Sequence, residues 1–132
     1  MKKLCVLALV AVLASAIVFG CAKGYESQQK AGDLTITLSI RNYPLVQADN
    51  TLDFTIADSD GKAVTDAKVD VRYYMPPLPG MAPMDYVSEA SVKGDRYSIT
   101  AHIPMAGKWM VEVAVKRTGT AAVMTAFTLD AQ

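Results

Sequence analysis

From Asp33 to its C-terminus the chain alternates apolar and polar residues with a period of two, and no other feature constrains its fold as much. Leu34, Ile36, Leu38 and Ile40 alternate with Thr35, Thr37 and Ser39, and Leu52, Phe54 and Ile56 repeat the pattern. Successive side chains on a strand point to opposite faces, so such a segment fits a strand with one face buried and the other in water. Val69, Val71, Tyr73 and Met75 form the inward face of a third strand, with Asp70 and Arg72 outward. Residues 86–93 give a fourth. Tyr97, Ile99 and Ala101 mark a fifth, and Trp109, Val111, Val113 and Val115 mark a sixth against Glu112 and Lys116. Val123, Thr125, Phe127 and Leu129 give a seventh. Turn residues separate them, at Asp58-Ser59-Asp60-Gly61, Gly94-Asp95, residues 104–107 and Thr118-Gly119. Seven short strands without a helical period predict an all-β, immunoglobulin-like β-sandwich of about seven strands over residues 33–132.

The N-terminus follows a different logic. Lys2 and Lys3 precede an apolar run from Leu4 to Phe19, broken only by the hydroxyl of Ser15. This is the layout of an export signal, and the run is short for a membrane span, which needs about 20 apolar residues. Val18-Phe19-Gly20-Cys21 resembles a bacterial lipobox, in which a small residue precedes a cysteine that receives acyl chains of the palmitate type. Residues 1–20 are thus predicted to be a lipoprotein signal peptide, and Cys21 the lipidated residue. Residues 21–32 are predicted to form the lipidated start and a flexible polar tether, since Ala22 to Lys30 has no apolar periodicity. The expected location is the cell envelope, lipid-anchored on the periplasmic face. Ala22, where an acidic residue would retain the protein, favours the outer membrane over the inner.

This reading fixes the chemistry left to the domain. Cys5 departs with the signal and the lipid consumes Cys21, so the mature chain has no free thiol and no disulfide. Losing Lys2 and Lys3 leaves 11 basic and 13 acidic side chains on 112 residues, a net charge of −2. That balance argues against nucleic-acid binding, which needs a basic face. No run of Lys or Arg marks a membrane-surface patch.

One segment departs from the strand pattern. Residues 73–85, Tyr-Tyr-Met-Pro-Pro-Leu-Pro-Gly-Met-Ala-Pro-Met-Asp, hold three of the seven methionines and four of the six prolines. Strand order in a seven-stranded sandwich brings the loops at residues 41–50, 76–85 and 103–107 to one end. Met75, Met81, Met84, Met105 and His102 are therefore expected to gather there. Thioether sulfur is a soft, neutral donor suited to Cu(I), and His102 adds an imidazole. Methionine is also a flexible apolar filler, so the same residues suit a cap over the open end or a contact surface. Met75 continues an inward face and fits the core. Asp58, Asp60 and Gly61 lack the later ligands of a calcium loop and read as a turn. The single histidine has no patterned partner, which argues against a catalytic triad or a catalytic zinc and hence against an enzyme.

Residues 69–115 resemble the YtkA-like/FixH-like group of small bacterial envelope domains. The resemblance rests on Tyr74-Met75-Pro76, Met81 and Met84, then Gly94-Asp95-Arg96-Tyr97, then Met105-Ala106-Gly107-Lys108-Trp109. It implies an immunoglobulin-like sandwich in the envelope, an association with heavy-metal handling or oxidase assembly, and no catalytic residues. Some members of the group have a histidine within the Met-Pro loop, whereas residues 75–85 here contain none. Two expectations stand side by side. One is a Cu(I)-binding module using Met81, Met84 and Met105 with Met75 or His102 assisting. The other is a metal-free module that contacts an envelope protein through the same end.

Overall fold

A computed structural model describes residues 24–132; the predicted signal peptide and Cys21 lie outside the described residues. The described residues form nine β-strands and no helix. They are β1 (Tyr25–Ala31), β2 (Leu34–Ile40), β3 (Asp49–Ala57), β4 (Lys68–Met75), β5 (Met84–Glu89), β6 (Ser91–Lys93), β7 (Arg96–His102), β8 (Gly107–Lys116) and β9 (Val123–Ala131). One sheet runs β1-β2-β3-β7-β6 and the other β5-β4-β8-β9, with every strand pair antiparallel. With β1 and β5 set aside, β2-β3-β7-β6 faces β4-β8-β9, the strand order of an immunoglobulin-like sandwich.

The period-two pattern places the core. Ile36 and Leu38 of β2, Leu52, Phe54 and Ile56 of β3, and Val69 and Val71 of β4 are all buried on inner faces. Trp109 and Phe54 have 0% of their surface exposed. Phe54 of one sheet meets Phe127 of the other with ring centroids 6.5 Å apart. The polar atoms that burial would strand are satisfied locally. The Trp109 indole N–H donates to the Met105 carbonyl at 3.1 Å, and the Tyr97 hydroxyl accepts from the Ala67 N–H at 3.1 Å. An unpartnered buried donor or acceptor costs about 1–3 kcal/mol, so these two bonds let large amphipathic residues serve as core.

Two expectations are corrected. Of residues 21–32, expected to form a tether, Tyr25–Ala31 are instead β1, paired with β2 in continuous register from Tyr25 opposite Ile40 to Ala31 opposite Leu34. Gly32, at φ 62°, makes the reversal between them. The strand is held by backbone pairing to β2, by the buried methyl of Ala31 and by Tyr25 stacked on Tyr43 at 4.4 Å. Most of its side chains stay in water, which is why it carries no apolar period. The single strand expected over residues 86–93 is two. β5 pairs with β4 and β6 with β7, and the half-buried Ala90 lies between them, its N–H on the Val69 carbonyl at 2.8 Å. A chain crossing from one sheet to the other must bend, and the small side chain of Ala90 fits the corner.

Trp109 fills the space between the sheets. Trp109→Ala should therefore lower the stability of the domain by about 3–5 kcal/mol, read as a shift of the urea midpoint at unchanged slope.

Candidate functional site

The strand registers bring the three predicted loops to one end of the sandwich. Asp49 lies opposite His102, Met75 opposite Met84, and Tyr74 opposite Met110, so residues 41–48, 76–83 and 103–106 all leave the same edge. The Ile103 N–H on the Ala48 carbonyl at 3.0 Å ties two of these loops together. The C-terminus joins them, with the Leu45 N–H on the Asp130 carbonyl at 3.0 Å and the Gln132 N–H on the Leu45 carbonyl at 2.8 Å. The first loop is braced from within by Asn50, whose amide donates to the Val46 and Ala48 carbonyls at 2.8 Å each and accepts the Val46 N–H.

The predicted site residues divide into three groups. Met75 and Met84 are register partners on β4 and β5; Met75 is 6% exposed and Met84 half-buried against the same core. Met105, also half-buried against the core, sits in the neighbouring loop just before β8. These three thioethers all lie in or against the core at this end of the sandwich. Met81 is apart, on the turn at Gly80, where its N–H bonds the Leu78 carbonyl at 3.2 Å. Met81 and Leu78 are 45% and 46% exposed. His102 is apart in another direction. It lies on the outer face of β7, between buried Ala101 and Ile103, with its ring Nδ1 2.8 Å from Asp49.

Gly107 sets how closely the loop before β8 approaches β4. Its φ is 134°, and a Cβ placed there would lie 2.8 Å from the Met75 Cε. The methyl of Met75 therefore rests on bare backbone. Behind it stand three aromatic rings. Tyr73 stacks on Tyr86 at 5.2 Å, and Trp109 lies 6.4 Å from each. The donors packed against the core at this end are the Met75, Met84 and Met105 thioethers. Among the described residues no three His, Cys, Asp or Glu side chains are grouped to hold a metal ion.

On the outer face of the same sheet, sequence reasoning missed an ion-pair network. Arg72 bonds Asp85 at 2.6 and 2.9 Å and Glu112 at 3.1 Å, with its guanidinium carbon 4.2 Å from the centre of the Tyr74 ring. Tyr74 donates to Glu112 at 3.2 Å. The hydrogen bonds from Arg72 hold the Asp85 carboxyl below the ordinary aspartate range, and those two carboxylates raise Arg72. Desolvation, then the charge of Glu112, raises Tyr74. Residues 72, 85 and 112 are far apart in sequence, so only the β4–β5 and β4–β8 registers reveal the group. It fixes the root of the Met-Pro loop, because Asp85 follows Met84 directly.

The sequence model of the family described as YtkA-like matches residues 28–114, well over half of the chain and from within β1 to within β8. No curated protein and no solved structure matches the chain.

A carboxyl whose pKa is depressed by folding contributes stability above its unfolded pKa, and that contribution is lost as pH falls through the lower folded value. Carbon-13 NMR should accordingly show Asp85 titrating below ordinary aspartate, and Arg72→Met should return it to that range. Gly107→Ala should destabilise the domain by about 1–3 kcal/mol, measured by urea unfolding, because a left-handed φ and the contact with Met75 both oppose a Cβ.

Proposed function

The chain belongs to the YtkA-like family, and from that premise we propose that it is a non-enzymatic binding module of the bacterial envelope, anchored by lipid on Cys21, that holds Cu(I) at its Met-Pro end. The observation that carries the reading is the pairing of Met75 with Met84 at the mouth of the sandwich, with Met105 in the adjoining loop. Cu(I) accepts two to four soft ligands, and thioethers serve it without adding charge to a half-buried site. Met81, apart on its exposed turn, is assigned no more than an auxiliary role. His102 is assigned no part, since Asp49 engages it on the outer face. The prolines flanking the loop lower the entropy lost when it orders around a ligand.

A second reading is favoured by one specific observation. Leu78 and Met81 stand exposed together on a proline-stiffened turn, while Met75 is buried. A rigid apolar tip of that kind suits contact with an envelope protein without any metal.

Competition against a chromophoric Cu(I) chelator separates the two. Met84→Leu with Met105→Leu should weaken Cu(I) binding at least tenfold while circular dichroism stays unchanged, and His102→Ala should leave the affinity as it is. Wild-type protein that takes no Cu(I) from the chelator would remove the metal reading and leave the contact reading.

A further inference from the structure

The position of β1 changes where the anchor must lie. Were residues 22–30 a free tether, the domain would be able to turn in any direction above the membrane. Instead the described chain begins at Gly24, whose Cα stands beside the Ile40 and Arg41 carbonyls, with a Cβ built there 3.7 and 3.9 Å from them. Tyr25 lies opposite Ile40 in the β1–β2 register, so the chain enters at the end where residues 41–48, 76–83 and 103–106 gather. Only Ala22 and Lys23 separate Cys21 from Gly24. Whatever their conformation, three Cα–Cα steps span at most about 11 Å.

That end has the surface a bilayer would meet. Val46, Leu78 and Met81 are large apolar side chains left 43–46% exposed on two of its loops. Tyr25 and Tyr43, stacked at 4.4 Å beside the entry point, are the kind of amphipathic ring that settles at headgroup level. Arg41, exposed next to Gly24, forms no ion pair among the described residues. Two acidic groups of this end are engaged, Asp49 by His102 at 2.8 Å and Asp130 by Lys108 at 3.7 Å, while Glu26, exposed beside the entry, forms no ion pair among the described residues.

We propose that the Met-Pro end is the membrane-facing end of the domain, with Leu78, Met81 and Val46 in the headgroup layer and Arg41 on lipid phosphate. The inference rests on the anchor at Cys21 proposed above. The turn at Thr118 lies at the far end, beyond β8, whose ten residues at about 3.3 Å each hold it roughly 30 Å away. The domain thus stands upright on its loops.

The test uses the full chain, exported and processed in a bacterial host and reconstituted into vesicles of phosphatidylethanolamine and phosphatidylglycerol. Leu78→Cys and Thr118→Cys each add one thiol for an environment-sensitive fluorophore, since the lipid consumes Cys21. Mass spectrometry first establishes acylation of Cys21. The label at position 78 should shift to the blue and be quenched several-fold more strongly by lipids brominated in their acyl chains than the label at position 118. Equal quenching at the two positions, or stronger quenching at 118, on acylated protein would overturn this orientation alone. A chain with unmodified Cys21 would overturn the anchor and the orientation together.

Discussion

The interlocking of the two inner faces across Trp109, Phe54 and Phe127 is what every other part of this molecule depends on. No described residue supplies a covalent cross-link, because neither cysteine of the chain lies among residues 24–132. The described domain is therefore held without a cross-link, chiefly by apolar burial and backbone pairing. Burying a large aromatic or aliphatic side chain contributes about 1.5–3 kcal/mol, and only a continuous core of such residues offsets the entropy of ordering nine strands. The alternation along each strand follows from that requirement. So does the use of Tyr97 and Trp109 in positions where their polar atoms find a carbonyl or an N–H within reach.

A core of this kind closes well in its middle and poorly at its ends, where strands give way to loops. The Met-Pro end shows how the chain deals with this. Met75 and Met84 continue the inner face past the aromatic rings, and Gly107 lets the β8 backbone close over the Met75 methyl. The thioethers that cap the core are thus also the ones the proposed Cu(I) site uses. Capping and binding do not compete for different residues here, because a flexible, unbranched side chain serves both. On the outer face, Arg72 clamps Asp85 to Glu112 and so holds the first strand after the loop in register.

Much of this was legible in the sequence, and what was not has physical causes. Strands with one buried face announce themselves by period, so the inward sets of β2, β3, β4, β7 and β8 follow from residues such as Leu38, Phe54, Val71, Ile99 and Val113. The gathering of three loops at one end follows from strand order alone. β1 was invisible because its pairing is made by backbone and its side chains are polar, as Gln28 and Gln29 are. The break between β5 and β6 was invisible because Ala90 changes sheets, and a change of sheet leaves the alternation of its neighbours nearly intact. The outward face of His102 was readable, but its engagement by Asp49 was not, since that depends on the β3–β7 register.

The conversion of an expected tether into a strand bears most on function. A flexible linker of nine residues would place no condition on which surface of the domain a partner meets. A link of two residues, joined to a strand whose register is fixed from Tyr25 to Ala31, transmits the position of an anchor at Cys21 directly to the fold. In the proposed orientation the loop end of both sheets faces the bilayer, with the chain entering at the β1 edge and β5, at the opposite edge of the second sheet, carrying the Met-Pro loop across the same end. A ligand reaching Met84 and Met105 in that arrangement arrives along the membrane surface or from a protein embedded in it, and the free envelope space lies on the side of Gly61 and Thr118. In the proposed orientation the shortness of the link, more than the identity of any single donor, therefore decides which kind of partner the site is able to serve.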